Sequence, residues 1–257
     1  MRRFFLPPEQ CRSKTLTLSD REAHHALHVL RLRLDERLAV LDGRGHEFHC
    51  RVSAVQRHDV VLEVLQKNYS PPLPCSISLM QAIPKGKTMD TIVQKATELG
   101  VARIVPILSE RTTVQLDEED AATKSVKWRA TAIESIKQCG STWLPALEPA
   151  LSPKEFLARG ERFDLHLIAS LQNDSQHLRR HLERFRTDGG TLPKTIAVWV
   201  GPEGDFTPAE LSATKSAGAL PITLGPLILR CDTAALYCLS ILNYELQSPV
   251  DFEKQLN

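Results

Sequence analysis

Gly201, Pro202, Glu203 and Gly204 place two glycines, a proline and a carboxylate at the exit of an apolar run, Ile196 to Val200. Loops leaving the carboxyl ends of strands line the ligand crevice of open α/β sheets, and helix N-termini there offer free N–H donors. The chemistry open to such a loop is binding. Glycine has no Cβ, so its backbone can approach a ligand closely and adopt positive φ. Thr207-Pro208-Ala209-Glu210 follows as a capping box, with threonine at the N-cap, proline at the first helical position and glutamate at N3. The loop is therefore expected to floor a cofactor pocket between a strand and a helix.

Two further segments carry candidate chemistry. Leu224-Gly225-Pro226-Leu227-Ile228-Leu229-Arg230-Cys231-Asp232-Thr233-Ala234 is a second glycine-bearing strand exit and leads into an amphipathic helix that ends near Gln247. Lys85-Gly86-Lys87, Gln94 to Val101 and Pro106 to Arg111 form the third. Each alone reads equally as punctuation: a Gly-Pro turn, a strand exit, a helix closed by Gly100. Arg230 and Asp232 allow two readings, a cation and carboxylate facing a substrate or a salt bridge at a helix start. His24 and His28 have i, i+4 spacing but no H-E-x-x-H or cysteine partner, so surface or packing roles are expected and no metal is assigned. The six cysteines lack C-x-x-C spacing and are expected to be reduced thiols, with Cys139 and Cys231 packing. No P-loop is present, and Gly43-x-Gly45 lacks the third glycine of a dinucleotide fingerprint.

The elements that must position these residues divide at Ser70-Pro71-Pro72-Leu73-Pro74, which can continue neither helix nor central strand. Residues 1–72 are read as a small β-barrel or sandwich domain with one helix. Ser19-Asp20-Arg21-Glu22 caps its helix, and Phe48, Cys50, Val52 and Val60, Leu62, Val64 alternate as half-buried strands. Residues 73–257 are read as an α/β domain, because strands at 77–82, 103–108, 165–169, 196–200 and about 219–224 are continuously apolar, as in a parallel sheet covered on both faces. The net charge of +1 singles out no partner, yet residues 1–70 carry +3, which favours a phosphate-bearing partner for the first domain. No signal peptide or membrane span is read, so a cytoplasmic protein is expected.

Taken together and in order, Arg3-Phe4-Phe5, Val29-Leu30-Arg31, Lys95 to Val101, the Gly-Pro-Glu-Gly loop and Leu229 to Ala234 resemble the RsmE family across essentially the whole chain. These are bacterial small-subunit ribosomal RNA uridine N3-methyltransferases of the SPOUT superfamily. The resemblance implies a PUA-like β-barrel followed by an α/β domain with a deep C-terminal trefoil knot, dimerisation through the knot region, and S-adenosylmethionine as methyl donor. It assigns Leu171, Gly201, Pro202, Glu203, Gly204, Leu224, Gly225, Ile228 and Leu229 to the cofactor pocket. It also implies that the substrate is uridine 1498 of 16S ribosomal RNA, free or in the assembled small subunit. This chain departs from the family pattern at Asp205, usually a second glycine, at Leu227, usually arginine or polar, and at Asp232, usually glutamate. Ser141-Thr142-Trp143 stands where an arginine commonly follows.

Methylating uracil N3 requires loss of its imide proton, and N3 lies on the Watson–Crick edge, so the base must be unpaired. Arg230 is the candidate for stabilising charge on the neighbouring carbonyl oxygens, and Asp232 or Glu203 for the base. Arg2, Arg3, Lys85, Lys87, Arg103 and Arg111 are candidates for phosphate contacts. Two rival readings stand: a SPOUT enzyme acting on another RNA or on a ribose 2′-oxygen, and a non-catalytic RNA-binding homologue.

Overall fold

The structure, a computed structural model, describes residues 1–112 and 118–247. It resolves into two compact units, residues 1–72 with 132–144, and residues 73–131 with 145 onward. The segment 132–144 therefore belongs with the first unit, although it lies far along the chain.

In the first unit β1 (Arg3–Phe5), β2 (Thr15–Leu18), β3 (Arg37–Leu41), β4 (His46–Val55) and β5 (Val60–Tyr69) form one sheet in the order β1-β3-β4-β5-β2. Only β1–β3 is parallel. Strands β1 and β2 occupy opposite edges and do not pair, so the sheet is a curled half-barrel, the form the expected PUA-like module takes here. The period-2 alternation predicted for β3, β4 and β5 places Leu38, Val40, Phe48, Cys50, Val52, Val60 and Leu62 in one core, which Leu16 and Leu18 of β2 and Phe4 of β1 complete. Residues 132–144 add Ile136, which packs with Phe5 and Leu41.

The helix after β2 departs from expectation. α1 (Asp20–His24) lasts barely a turn and runs into a wide π turn over His25–Val29, so it stops short of Leu34, which is exposed. Ser19 makes no cap bond to the helix, and the predicted box with Glu22 does not form. Glu22 instead accepts a 2.8 Å hydrogen bond from the Lys137 ammonium, which is only 8% exposed. A buried ammonium needs a paired carboxylate more than an exposed helix start needs its glutamate.

The second unit holds β6 (Ser76–Ala82), α2 (Thr88–Glu98), β7 (Arg103–Ile107), α3 (Glu118–Cys139, the last turns belonging to the first unit), β8 (Ala146–Leu147), α4 (Pro153–Ala158), β9 (Leu165–Ala169), β10 (Gln176–His177), α5 (Leu178–Gly189), β11 (Thr195–Val200), α6 (Pro208–Ser216), β12 (Leu220–Thr223) and α7 (Cys231–Leu246). Among the described residues its seven strands are all parallel, in the order β10-β12-β9-β11-β6-β7-β8. The helix α5 was not anticipated. Its sequence is arginine-rich, yet Leu178, Leu182 and Phe185 keep the i, i+4, i+7 spacing of an amphipathic helix, and Leu178, His181 and Leu182 are buried. Trp199, Met80, Ala197, Ile168 and Phe156 form the core on one face of the sheet.

Two neutral histidines are built into this unit. Burial pushes His166 and His181 below the ordinary imidazole value of 6.5. His166 Nε2 accepts the Trp199 indole N–H at 2.7 Å, so a proton added there would turn an acceptor into a second donor. A depressed folded pKa means that the unfolded chain takes up the proton first. The stabilisation is complete above pH about 6.5 and is lost as pH falls through the depressed values. Denaturation midpoints of the second unit should decline on acidification below about pH 6.5, and less steeply in His166→Gln; equal declines would exclude His166.

Candidate active site

The connections after β9, β11 and β12 leave the same edge of three adjacent parallel strands, because the sheet order places β9 between the other two. They converge on a cavity of about 270 Å³. Ala169, Ser170 and Leu171 line it from the first connection, Val200 to Glu203 and Asp205 from the second, and Leu224, Gly225 and Leu227 to Cys231 from the third, with Ala234 behind.

Eight of the nine residues expected at a cofactor pocket, Leu171, Gly201, Pro202, Glu203, Leu224, Gly225, Ile228 and Leu229, thus share one wall system. Gly204 does not line the cavity. Its carbonyl is turned to Arg111, whose guanidinium donates to it at 2.6 Å. Each glycine has its own reason. Gly225 sits at φ +107°, and a Cβ there would meet nothing within 4 Å, so conformation alone demands glycine. At Gly201 a Cβ would lie 3.0 Å from the Asp205 carboxylate and 3.3 Å from its Cα, so closeness demands it.

The second loop is held at three points. Glu203 Oε1 accepts the Lys85 amide at 3.1 Å, Arg111 grips Gly204, and Phe206 is buried edge-on against Trp199 with centroids 6.1 Å apart. Behind it the capping box of α6 forms as read from sequence: Thr207 Oγ1 accepts from Glu210 N, and Glu210 from Thr207 N.

Arg230 lines the cavity as the exposed N-cap of α7, and its side chain forms no ion pair or hydrogen bond among the described residues. The helix-start salt bridge with Asp232 is absent. Asp232 lies outside the cavity lining, and its Oδ1 accepts the amide of Thr233 at 2.8 Å. Cys231 lies in the cavity wall with its thiol pKa raised, first by burial and then by the Glu203 charge, so it stays protonated and unreactive. Cys139, read as a packing residue, is exposed.

The cations expected to meet phosphate differ in availability. Lys85 and Lys87 are exposed and form no ion pair among the described residues. Arg103 is committed elsewhere: it clamps Glu161 at 2.5 and 2.9 Å, meets Glu148 at 2.5 Å and lies over the Phe156 ring. In the first unit Arg2 pairs with Glu36 at 3.1 Å and Arg3 with Glu47 at 3.5 Å. Missed by sequence reading were Ala169 and Ser170, which the same strand-exit rule would have found, and Ala234, a small residue one turn into α7.

A family model described as an RNA methyltransferase domain matches residues 71–243, and one described as an RNA methyltransferase PUA domain matches residues 18–65. The Aquifex aeolicus ribosomal RNA small subunit methyltransferase E is 31% identical, over 91% of this chain and 96% of its own. The chain belongs to the ribosomal RNA small subunit methyltransferase E family. The Bacillus subtilis member of that family is 29% identical over 91% of each chain. A Neisseria gonorrhoeae member of the family, solved bound to S-adenosyl methionine, superposes with a TM-score of 0.83 at 31% identity, covering 96% of this chain and 98% of that one. A Legionella pneumophila methyltransferase solved with bound SAM gives 0.84 at 33% identity, covering 95% and 97%.

Within the methyltransferase E family the departure at Asp205 acquires a physical reading. Asp205 adopts φ +59°, the conformation for which a second glycine is suited. Aspartate tolerates it better than most residues, and here its Oδ1 also accepts the Phe206 amide at 2.8 Å. Asp205→Gly should therefore leave S-adenosylmethionine affinity within about threefold, whereas β-branched Asp205→Val, strained at that φ, should weaken it about tenfold or more by calorimetry. Equal affinities for the two variants would show that the backbone at 205 does not shape the pocket.

Proposed function

We propose that the protein transfers the methyl group of S-adenosylmethionine to N3 of uridine 1498 of 16S ribosomal RNA. The observation that carries this reading is the convergence of three strand-exit loops on one cavity with the unpaired Arg230 at its wall. The apolar faces of Leu224, Leu229, Val200 and Ala234 suit an adenosine, and the open space at Gly225 lets backbone meet it directly. When bound, the cofactor supplies an electrophilic methyl group.

The chain's own residues must hold an unpaired uracil with N3 toward that methyl and accommodate the imide negative charge. Arg230 is assigned this last task, since charge spreading onto the two ring carbonyl oxygens is what a positioned guanidinium stabilises. Of the two candidate bases Glu203 is the better placed, because it lines the cavity while Asp232 does not. Lys85 and Lys87 are the freest phosphate contacts. Arg2 and Arg3 can serve only by exchanging their glutamates, and Arg103 is withdrawn because two carboxylates already hold it.

The trefoil threading and dimerisation implied by the resemblance belong to the same proposal. Adjacency of β9, β11 and β12 near the C-terminal part of the chain supports the first. The exposed Leu171, Leu227 and Ile228 around the cavity support the second. No described helix is long and apolar enough to cross a membrane. The test is nucleoside mass spectrometry of small subunits from a strain lacking the gene, incubated with protein and S-adenosylmethionine. Appearance of N3-methyluridine is expected; a methyl group on another base, on a 2′-oxygen or nowhere refutes the proposal.

A further inference from the structure

We propose that one rim of the first unit is a stacking platform for an unpaired base of the RNA substrate, an inference that rests on the enzyme reading above for the identity of its partner. Four rings run from the core to the surface there. Phe48 and His46 lie with centroids 6.1 Å apart, His46 and Tyr69 5.2 Å, and Tyr69 and Trp143 6.4 Å with the rings at 74°. The sheet register produces the run, since His46 faces Tyr69 and Phe48 faces Lys67 across β4 and β5. Phe48 is buried at one end, Trp143 is half-buried at the other, and Tyr69 beside it is 58% exposed.

The arrangement is built and held. Gly45, at φ +93°, is where the two outer rings close: a Cβ would lie 2.7 Å from the Tyr69 ring, 2.8 Å from the Trp143 ring and 2.9 Å from the Ser70 carbonyl. The Trp143 indole N–H donates to that same carbonyl at 2.9 Å. Backbone bonds from Gly45 N to Thr142 O and from Ser70 N to Gly45 O tie the three segments together. The nearly buried Asp42 carboxylate accepts the backbone amides of Arg44 and His46 and the His46 Nδ1–H at 2.7 Å, fixing that ring as well. Rings locked in place lose little freedom when a base stacks on them, so binding is preorganised.

Charge supplies the identity of the occupant. Arg44 and Lys67 are exposed and form no ion pair among the described residues, and Lys67 lies over the Phe48 ring at 5.2 Å. The nearby carboxylates are already engaged, Glu47 by Arg3 and His49, and Asp42 by His46. Fixed aromatic faces beside unneutralised cations are what an unpaired nucleotide requires, a π-face for its base and a cation for its phosphate. A face that served packing alone would bury Tyr69.

Trp143 reports its own occupancy, because the other two tryptophans, Trp128 and Trp199, are buried. Titrating the full-length protein with a short unstructured RNA should quench Trp143 fluorescence, and the same sequence as a duplex should not. Tyr69→Ala should weaken single-strand binding about tenfold, with thermal stability unchanged because the ring is exposed. Trp143→Phe should keep most of the affinity and lose the quench. The proposal is overturned if Tyr69→Ala binds within about twofold of wild type, or if the duplex binds and quenches as the single strand does. Failure of wild-type protein to methylate small subunits would sink the enzyme reading instead, and the oligonucleotide titration does not depend on it.

Discussion

Replacing Arg230 with serine should lower methyl transfer by about 100- to 1000-fold, the usual loss when a preorganised charge is removed from a developing anion. Cofactor affinity should stay within a few-fold. The fold should not suffer at all. Arg230 occupies the N-cap of α7 with no side-chain cap bond, where serine, threonine, aspartate and asparagine are preferred. A cation at that end also opposes the helix dipole, by roughly 0.3–1 kcal/mol. Arg230→Ser supplies the missing cap, so the variant should be about as stable as wild type or up to about 1 kcal/mol more stable. Activity and stability moving in opposite directions would mark a residue retained for chemistry. If turnover persists in Arg230→Ser, or stability collapses with it, the charge-stabilising role is wrong. A residue that violates the local capping rule with no compensating contact is where function is to be sought.

Glu210→Ala should destabilise the second unit by about 3 kcal/mol, a fall in melting temperature of about 10 °C for a unit of this size. The carboxylate is 8% exposed and joins two chain segments. It accepts the Thr207 amide at 2.8 Å as the cap of α6, and across the unit it accepts the Glu110 amide at 2.9 Å and the Ser109 hydroxyl at 3.0 Å. Alanine strands all three donors in a site with little water to replace the carboxylate. Ser109 also receives the Arg111 amide, and Arg111 holds the Gly204 carbonyl, so loss of Glu210 should loosen the cofactor loop. Weaker S-adenosylmethionine binding is expected alongside the lower melting temperature. Glu210→Gln keeps one acceptor oxygen and should recover roughly half of both losses. A melting temperature in Glu210→Ala within about 2 °C of wild type would show that the carboxylate serves only as a helix cap.

The contrast between the two roles of Glu210 shows what was legible beforehand. Its capping role was written in four consecutive residues, Thr207 to Glu210, and local spacing exposes such signals. Its bonds to Ser109 and Glu110 join residues a hundred positions away, and nothing local announces them. The same division runs through the molecule. Gly100 closing α2 and the alternation of β4 and β5 were readable because each is a property of a few neighbours. The loss of the Ser19 to Glu22 box to Lys137, the two carboxylates on Arg103 and the meeting of Gly45 with Trp143 were not, because distant segments decide them. In the candidate site glycine and strand exits pointed to the right loops. They could not show that Gly204 turns away, that Asp232 serves its own helix, or that Arg230 is left unpaired.

The first unit closes on residues 132–144, which contribute Ile136 to its interior and Thr142 to the strap around Gly45. During synthesis, then, this unit is unfinished when residue 72 leaves the ribosome. Another 72 residues must follow, at roughly 5–20 per second, a delay of roughly 4–14 s in which Phe5 and Leu41 wait without their partner. The first unit is thus completed after β6, α2 and β7 of the second have been made, but before any residue that lines the cavity, the first of which is Ala169.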